Sequence, residues 1–151
     1  MTNAARLGLG YELVGASYPS PAFSKEAEQS PLHRRMIEAT FEQCLNQIPV
    51  LETPDGIRPS QDAISAFSKW LPRLFDRALK IGRWAIPHIT CSDQGEIVCE
   101  WWEGQRKLTI YFGEASEYIK VWGTNIDSEM ESGELQNDWN ITAVWIWLHS
   151  S

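Results

Sequence analysis

The chain has no long apolar run. No stretch approaches the roughly 18–20 residues of a membrane span, and no basic segment with an apolar core opens it as a secretory leader would. Neither membrane insertion nor export is expected. Cysteine is scarce: Cys44, Cys91 and Cys99 are odd in number and match no metal-ligand spacing. No disulfide framework and no metal are therefore expected, and a reducing cytoplasm is the expected setting. Positive charge is short too, with 13 Lys and Arg against 20 Asp and Glu and a net charge of −7, which argues against direct nucleic-acid binding. Also missing are a glycine-rich phosphate loop, a serine nucleophile elbow and a Cys-x-x-Cys pair, and Asp55-Gly56 lacks the acidic partners of a calcium loop. No cofactor and no enzymatic activity are expected.

What is present belongs to a globular protein. A chain of 151 residues fits one domain, and 43% hydrophobic residues with eight tryptophans are far more than a disordered chain carries. Charge is unevenly placed. Residues 1–29 have a net charge of −1, residues 30–85 of +2, and residues 86–151, with three basic and eleven acidic side chains, of −8. The acidity is a local property of the last third. Residues 1–29 show no sustained period and are read as an N-terminal tail, disordered or draped, ahead of a single α+β domain at 30–151.

Ser30-Pro31 starts a helix, with a hydroxyl at the N-cap and proline at the first position, where its missing N–H costs nothing. Leu32, Met36, Ile37, Phe41, Cys44, Leu45 and Ile48 continue it at helical spacing until Pro49, predicting a helix over 31–48. Ser60 caps a second helix with a broad apolar stripe, which Pro72 should kink or split near Trp70, and Gly82 ends it. From Arg83 the period falls to 2. Ile86–Cys91, Glu96–Trp102, Lys107–Phe112 and Tyr118–Trp122 read as four strands, joined too tightly for a parallel crossover. Residues 124–138 read as an acidic solvated loop; in Trp139–Leu148 the spacing of Trp139, Ile141, Trp145 and Leu148 favours a short helix capped by Asp138, while Thr142, Val144 and Ile146 favour a strand. The expected fold is α+β, with N-terminal helices on one face of a four-stranded antiparallel meander and a short C-terminal helix.

Alternation assigns the faces. Pairing around Gly104-Gln105 sets Trp101 opposite Leu108, Cys99 opposite Ile110 and Ile97 opposite Phe112. Pairing around Ala115-Ser116 then sets Phe112 opposite Ile119 and Ile110 opposite Val121, which puts Ile119 and Val121 in the core. The opposite face would carry Glu100, Trp102, Lys107, Tyr111, Tyr118, Lys120 and Trp122, with Tyr111 opposite Lys120 and Thr109 opposite Trp122. Aromatic rings beside a carboxylate and two ammonium groups suit recognition, because Trp and Tyr dominate binding hot spots. Asp127, Glu129, Glu131, Glu134 and Asp138 form a second candidate surface, one that would dock a basic partner by fast, salt-sensitive association.

The residues Ile86-Pro87-His88-Ile89, followed by Asp93-Gln94-Gly95-Glu96-Ile97-Val98-Cys99-Glu100-Trp101, resemble a pattern in small uncharacterised bacterial and phage proteins. In those a helix precedes a Pro-x-Ile strand, a glycine turn and a Glu-Trp strand. The resemblance spans about residues 60–122 and departs at Gln94 and at the doubled Trp101-Trp102. It implies the α+β meander and a prokaryotic origin, and transfers no site residue. The leading expectation is a non-enzymatic protein-binding protein of the immunity, antitoxin or inhibitor kind, with a homodimer through the outer face or a sheet edge as a further possibility. The alternatives are a small-molecule or carbohydrate binder stacking on Trp102, Tyr111 and Trp122, and a nuclease-like site around His88, Glu100 and Tyr111.

Overall fold

The Ser30 hydroxyl accepts the His33 N–H at 3.2 Å and starts helix α1, Pro31–Leu45. A 3-10 turn, Ile48–Val50, follows where α1 was expected to continue, because Pro49 cannot extend the α-helical ladder. The computed structural model describes residues 30–124 and 126–150, so the expected tail at 1–29 lies outside the described residues. The chain divides into two units between Met36 and Ile37, and everything after the first turns of α1 belongs to the second, Ile37–Ser151.

Helix α2, Gln61–Ile81, begins at Ser60, whose hydroxyl accepts the Ala63 N–H at 3.1 Å, and ends at Gly82 in the left-handed conformation (φ 82°). Pro72 does not divide it. Proline inside a helix costs about 3 kcal/mol relative to alanine. Burial across the proline outweighs that: Phe67, Leu71, Leu74 and Phe75 are all buried, and each large apolar side chain contributes about 1.5–3 kcal/mol.

The sheet is an antiparallel meander of five strands: β1 His88–Cys91, β2 Ile97–Glu103, β3 Arg106–Phe112, β4 Glu117–Gly123 and β5 Ser128–Glu134. The expected count was four. The fifth lies in the stretch read as a solvated loop, because a run of Ser, Glu and Gly carries no strand propensity of its own. Pairing with β4 holds it there. The last helix, α3, spans Asp138–His149, and its cap is Asn137 rather than Asp138: Asn137 Oδ1 accepts the Asn140 N–H at 2.8 Å. Asp138 is already helical, and its carboxylate turns to Arg73 and Arg77 of α2, at 3.7 and 3.4 Å.

Pairing of β2 with β3 follows the expected register, with Trp101 opposite Leu108, Cys99 opposite Ile110 and Ile97 opposite Phe112. These residues form the core with α2 and α3. Phe67 meets Phe112 edge-on at 5.7 Å, and Trp101 meets Trp145 at 5.5 Å. Both indole N–H groups are satisfied by backbone carbonyls, Trp101 on Ala85 at 2.9 Å and Trp145 on Arg83 at 2.6 Å. Cys44 and Cys99 are fully buried free thiols in this core. Burial raises the Cys44 thiol to about 11, and burial, with Cys44 and Glu100 nearby, holds Cys99 well above its ordinary range.

Candidate functional site

The register of β3 with β4 corrects the assignment of faces. Ile110 lies opposite Tyr118, Leu108 opposite Lys120, Thr109 opposite Ile119 and Tyr111 opposite Glu117. The expected pairs Phe112 with Ile119, Ile110 with Val121, Tyr111 with Lys120 and Thr109 with Trp122 are not made. The shift is three residues, an odd number, so every β4 side chain changes face. Its cause is the connection: five residues, 112–116, separate the paired Tyr111 and Glu117, and this odd-membered turn reverses the parity that a two-residue turn would give.

Tyr118, Lys120 and Trp122 therefore face the helices, while Ile119 and Val121 face outward. Trp122 meets Trp147 of α3 at 5.8 Å, and Lys120 Nζ lies 5.2 Å from the Trp147 ring. Arg106 stands 5.2 Å from the same ring and donates to the Trp147 carbonyl. Trp147 is thus held between two cations, an arrangement in which each can contribute about 0.5–2 kcal/mol depending on solvent exposure. Tyr118 lies over Gly133 of β5, where a Cβ would stand 2.7 Å from its hydroxyl oxygen. Gly133, inside the stretch read as a solvated loop, is the floor under a tyrosine ring.

The outer face keeps Glu100, Trp102, Lys107 and Tyr111. Lys107 Nζ pairs with Glu100 at 3.3 Å and lies 6.0 Å from the Trp102 ring, whose other neighbour is His88 at 6.3 Å between centroids. Trp102 is 57% exposed, whereas Tyr111 is half-buried. The residues of the nuclease-like alternative fall on this face, with His88 opposite Glu100, but the Glu100 carboxylate is engaged by Lys107. Among the described residues no group of three His, Cys, Asp or Glu side chains is placed to hold a metal ion.

The acidic candidates separate. Asp138 is neutralised by α2. The other four lie on the last hairpin. Gly123, at φ 111° and with no room for a Cβ against the Asp127 carbonyl, closes β4 ahead of β5. Asp127 stands at the end of that turn, its N–H donating to Thr124 Oγ1 at 3.0 Å. Glu131 pairs with Lys120 at 3.2 Å across the strands. Asp127, Glu129 and Glu134 have no cation within ion-pair distance among the described residues, and all are exposed. Ile126 and Met130 on the same hairpin are 98% and 70% exposed.

His149, which has no signature in the sequence, packs on Trp145 with centroids 4.8 Å apart, and its Nδ1 lies 3.3 Å from Glu103. No periodic signal would have found it. Among the described residues no helix is long and apolar enough to cross a membrane. No protein-family model matches the chain, and no curated protein or solved structure matches it significantly.

Proposed function

We propose that the protein is a non-enzymatic acidic docking protein of prokaryotic or phage origin, of the immunity, antitoxin or inhibitor kind, which binds a basic protein in the cytoplasm. The observation that carries this reading is the last hairpin. Three exposed carboxylates without a cationic partner, Asp127, Glu129 and Glu134, line a strand beside the exposed Ile126 and Met130. The helices cover the other face of β2 and β3, so the open surface lies toward the hairpin and the outer face with Trp102. Uncompensated surface charge of one sign steers an oppositely charged partner and makes association salt-sensitive. The three thiols fit a reducing compartment.

The test is capture from a lysate of the source cells on the immobilised full chain at low and high salt. It is run beside a triple variant, Asp127→Asn, Glu129→Gln and Glu134→Gln. The expected result is a basic protein retained at low salt, released by high salt and lost with the variant. Retention that ignores both salt and variant, or no partner at all, rejects the reading.

A second reading, a small-molecule or carbohydrate binder, rests on Trp102, which rims a shallow recess with Lys107, Val121 and Ser128. It no longer has Trp122, whose ring is packed against Trp147. A ligand-panel fluorescence response that survives Trp102→Ala unchanged would remove it.

A further inference from the structure

The free side of β5 has a definite phase. Leu135 N–H donates to Ser116 O at 2.9 Å, continuing the β4–β5 register by one pair. In an antiparallel ladder hydrogen-bonded and non-hydrogen-bonded pairs alternate. Gly133, Glu131 and Glu129 therefore direct their backbone groups at β4. Ser128, Met130, Ser132 and Glu134 direct theirs away, and among the described residues no strand pairs with that side. An open edge of this kind is a template for another extended chain.

The side chains define what that chain must carry. Glu129 and Glu131 occupy alternate positions on the helix side of the strand, and Met130 and Ser132 the alternate positions on the outer side. On a newly added strand the residues facing Glu129 and Glu131 would sit at the non-hydrogen-bonded positions, where cross-strand side chains come closest. Lysine or arginine fits there, opposite Glu129, which has no cationic partner among the described residues, and beside Glu131, whose exposed carboxylate already meets Lys120, with small or apolar residues between, facing Met130. At the Glu134 end of the strand lies a groove of about 620 Å³ whose walls include Asp62, Glu114 and Trp70, with Lys69 among them. A second copy of the chain is disfavoured, because the antiparallel registers of two β5 edges centred on Met130 or Glu131 set glutamates against glutamates. Residues 1–29 fit poorly as well, carrying two basic against three acidic side chains.

We infer that β5 accepts, by strand addition, an extended basic segment of the partner with Lys or Arg at alternate positions. This rests on the docking function proposed above and specifies how the partner is gripped. The test uses the full chain and a fluorescent ten-residue peptide of alternating Lys and Val, read by anisotropy. Three controls accompany it: the same composition with the lysines contiguous, the alternating peptide N-methylated at its valines, and the Ser132→Pro variant. Proline at position 132 removes one outward N–H and leaves the β4 ladder intact, which circular dichroism verifies.

The expected result is saturable binding of the alternating peptide, weakened at least tenfold by contiguous lysines, by N-methylation and by Ser132→Pro. Equal binding in all four arms would overturn strand addition while leaving the acidic docking surface standing. No binding by the full chain, or a concentration-dependent dimer abolished by Ser132→Pro, would overturn it as well.

Discussion

At the residue scale, Gly133 decides whether the last hairpin closes. Its space is taken by the Tyr118 ring, and a Cβ there would press on the hydroxyl oxygen at 2.7 Å. The clash extends beyond the hydroxyl to the ring itself, with Cζ at 2.9 Å and Cε2 at 3.0 Å. Gly133→Ala is expected to destabilise by about 1–3 kcal/mol, the usual cost of overpacking. Urea unfolding measures this, and Tyr118→Ala in the same chain should recover most of the loss, because it removes the atom that is hit. Full additivity of the two changes would show that the ring and the glycine do not meet.

At the scale of elements, the caps were readable and the polar strand was not. Ser30, Ser60 and Gly82 sit where hydroxyl and glycine chemistry puts them. In sequence Asp138 reads as the cap, and the extended backbone at Asn137 (φ −160°, ψ 177°) places it one residue earlier. Asn137→Ala should therefore cost about 1 kcal/mol of stability, whereas Asp138→Asn, losing exposed ion pairs, should cost less. Thermal unfolding of the two variants decides the matter, and the reverse order would return the cap to Asp138.

The same contrast explains the site. Glu100, Trp102, Lys107 and Tyr111 were placed on the outer face from alternation, because a two-residue turn fixes the β2–β3 register. For Tyr118, Lys120 and Trp122 alternation gives the wrong face, because apolarity alone favours Ile119 and Val121 as core. The chain instead buries the stems and rings of amphipathic residues against Trp147. β5 was illegible for a related reason: its strand character comes from β4 and from the Lys120–Glu131 pair, not from its own composition.

At the scale of the whole molecule, the buried thiols set an alkaline limit. Cys44 is raised from 9.0 to about 11 by burial. Above pH 9 the unfolded chain releases that proton while the folded chain retains it, so the unfolded state gains the stabilisation of ionisation. Stability from this group is thus whole below pH 9 and declines as pH rises toward 11. Chemical denaturation across that range should show the decline, and Cys44→Ala should flatten part of it. An unchanged slope in that variant would place the alkaline sensitivity elsewhere.

Of the eleven acidic residues of the last third, Glu129, Glu131 and Glu134 stand on one strand whose outer edge is open among the described residues. That claim is tested most directly by residue-resolved amide hydrogen exchange over 128–134, with and without the alternating Lys–Val peptide. In the free chain Glu129, Glu131 and Gly133 should exchange slowly, held by β4, and Met130, Ser132 and Glu134 quickly. Addition of the peptide should protect Met130, Ser132 and Glu134. Uniformly fast exchange across 128–134, the opposite alternation, or a peptide that leaves the three fast amides unprotected would contradict the account.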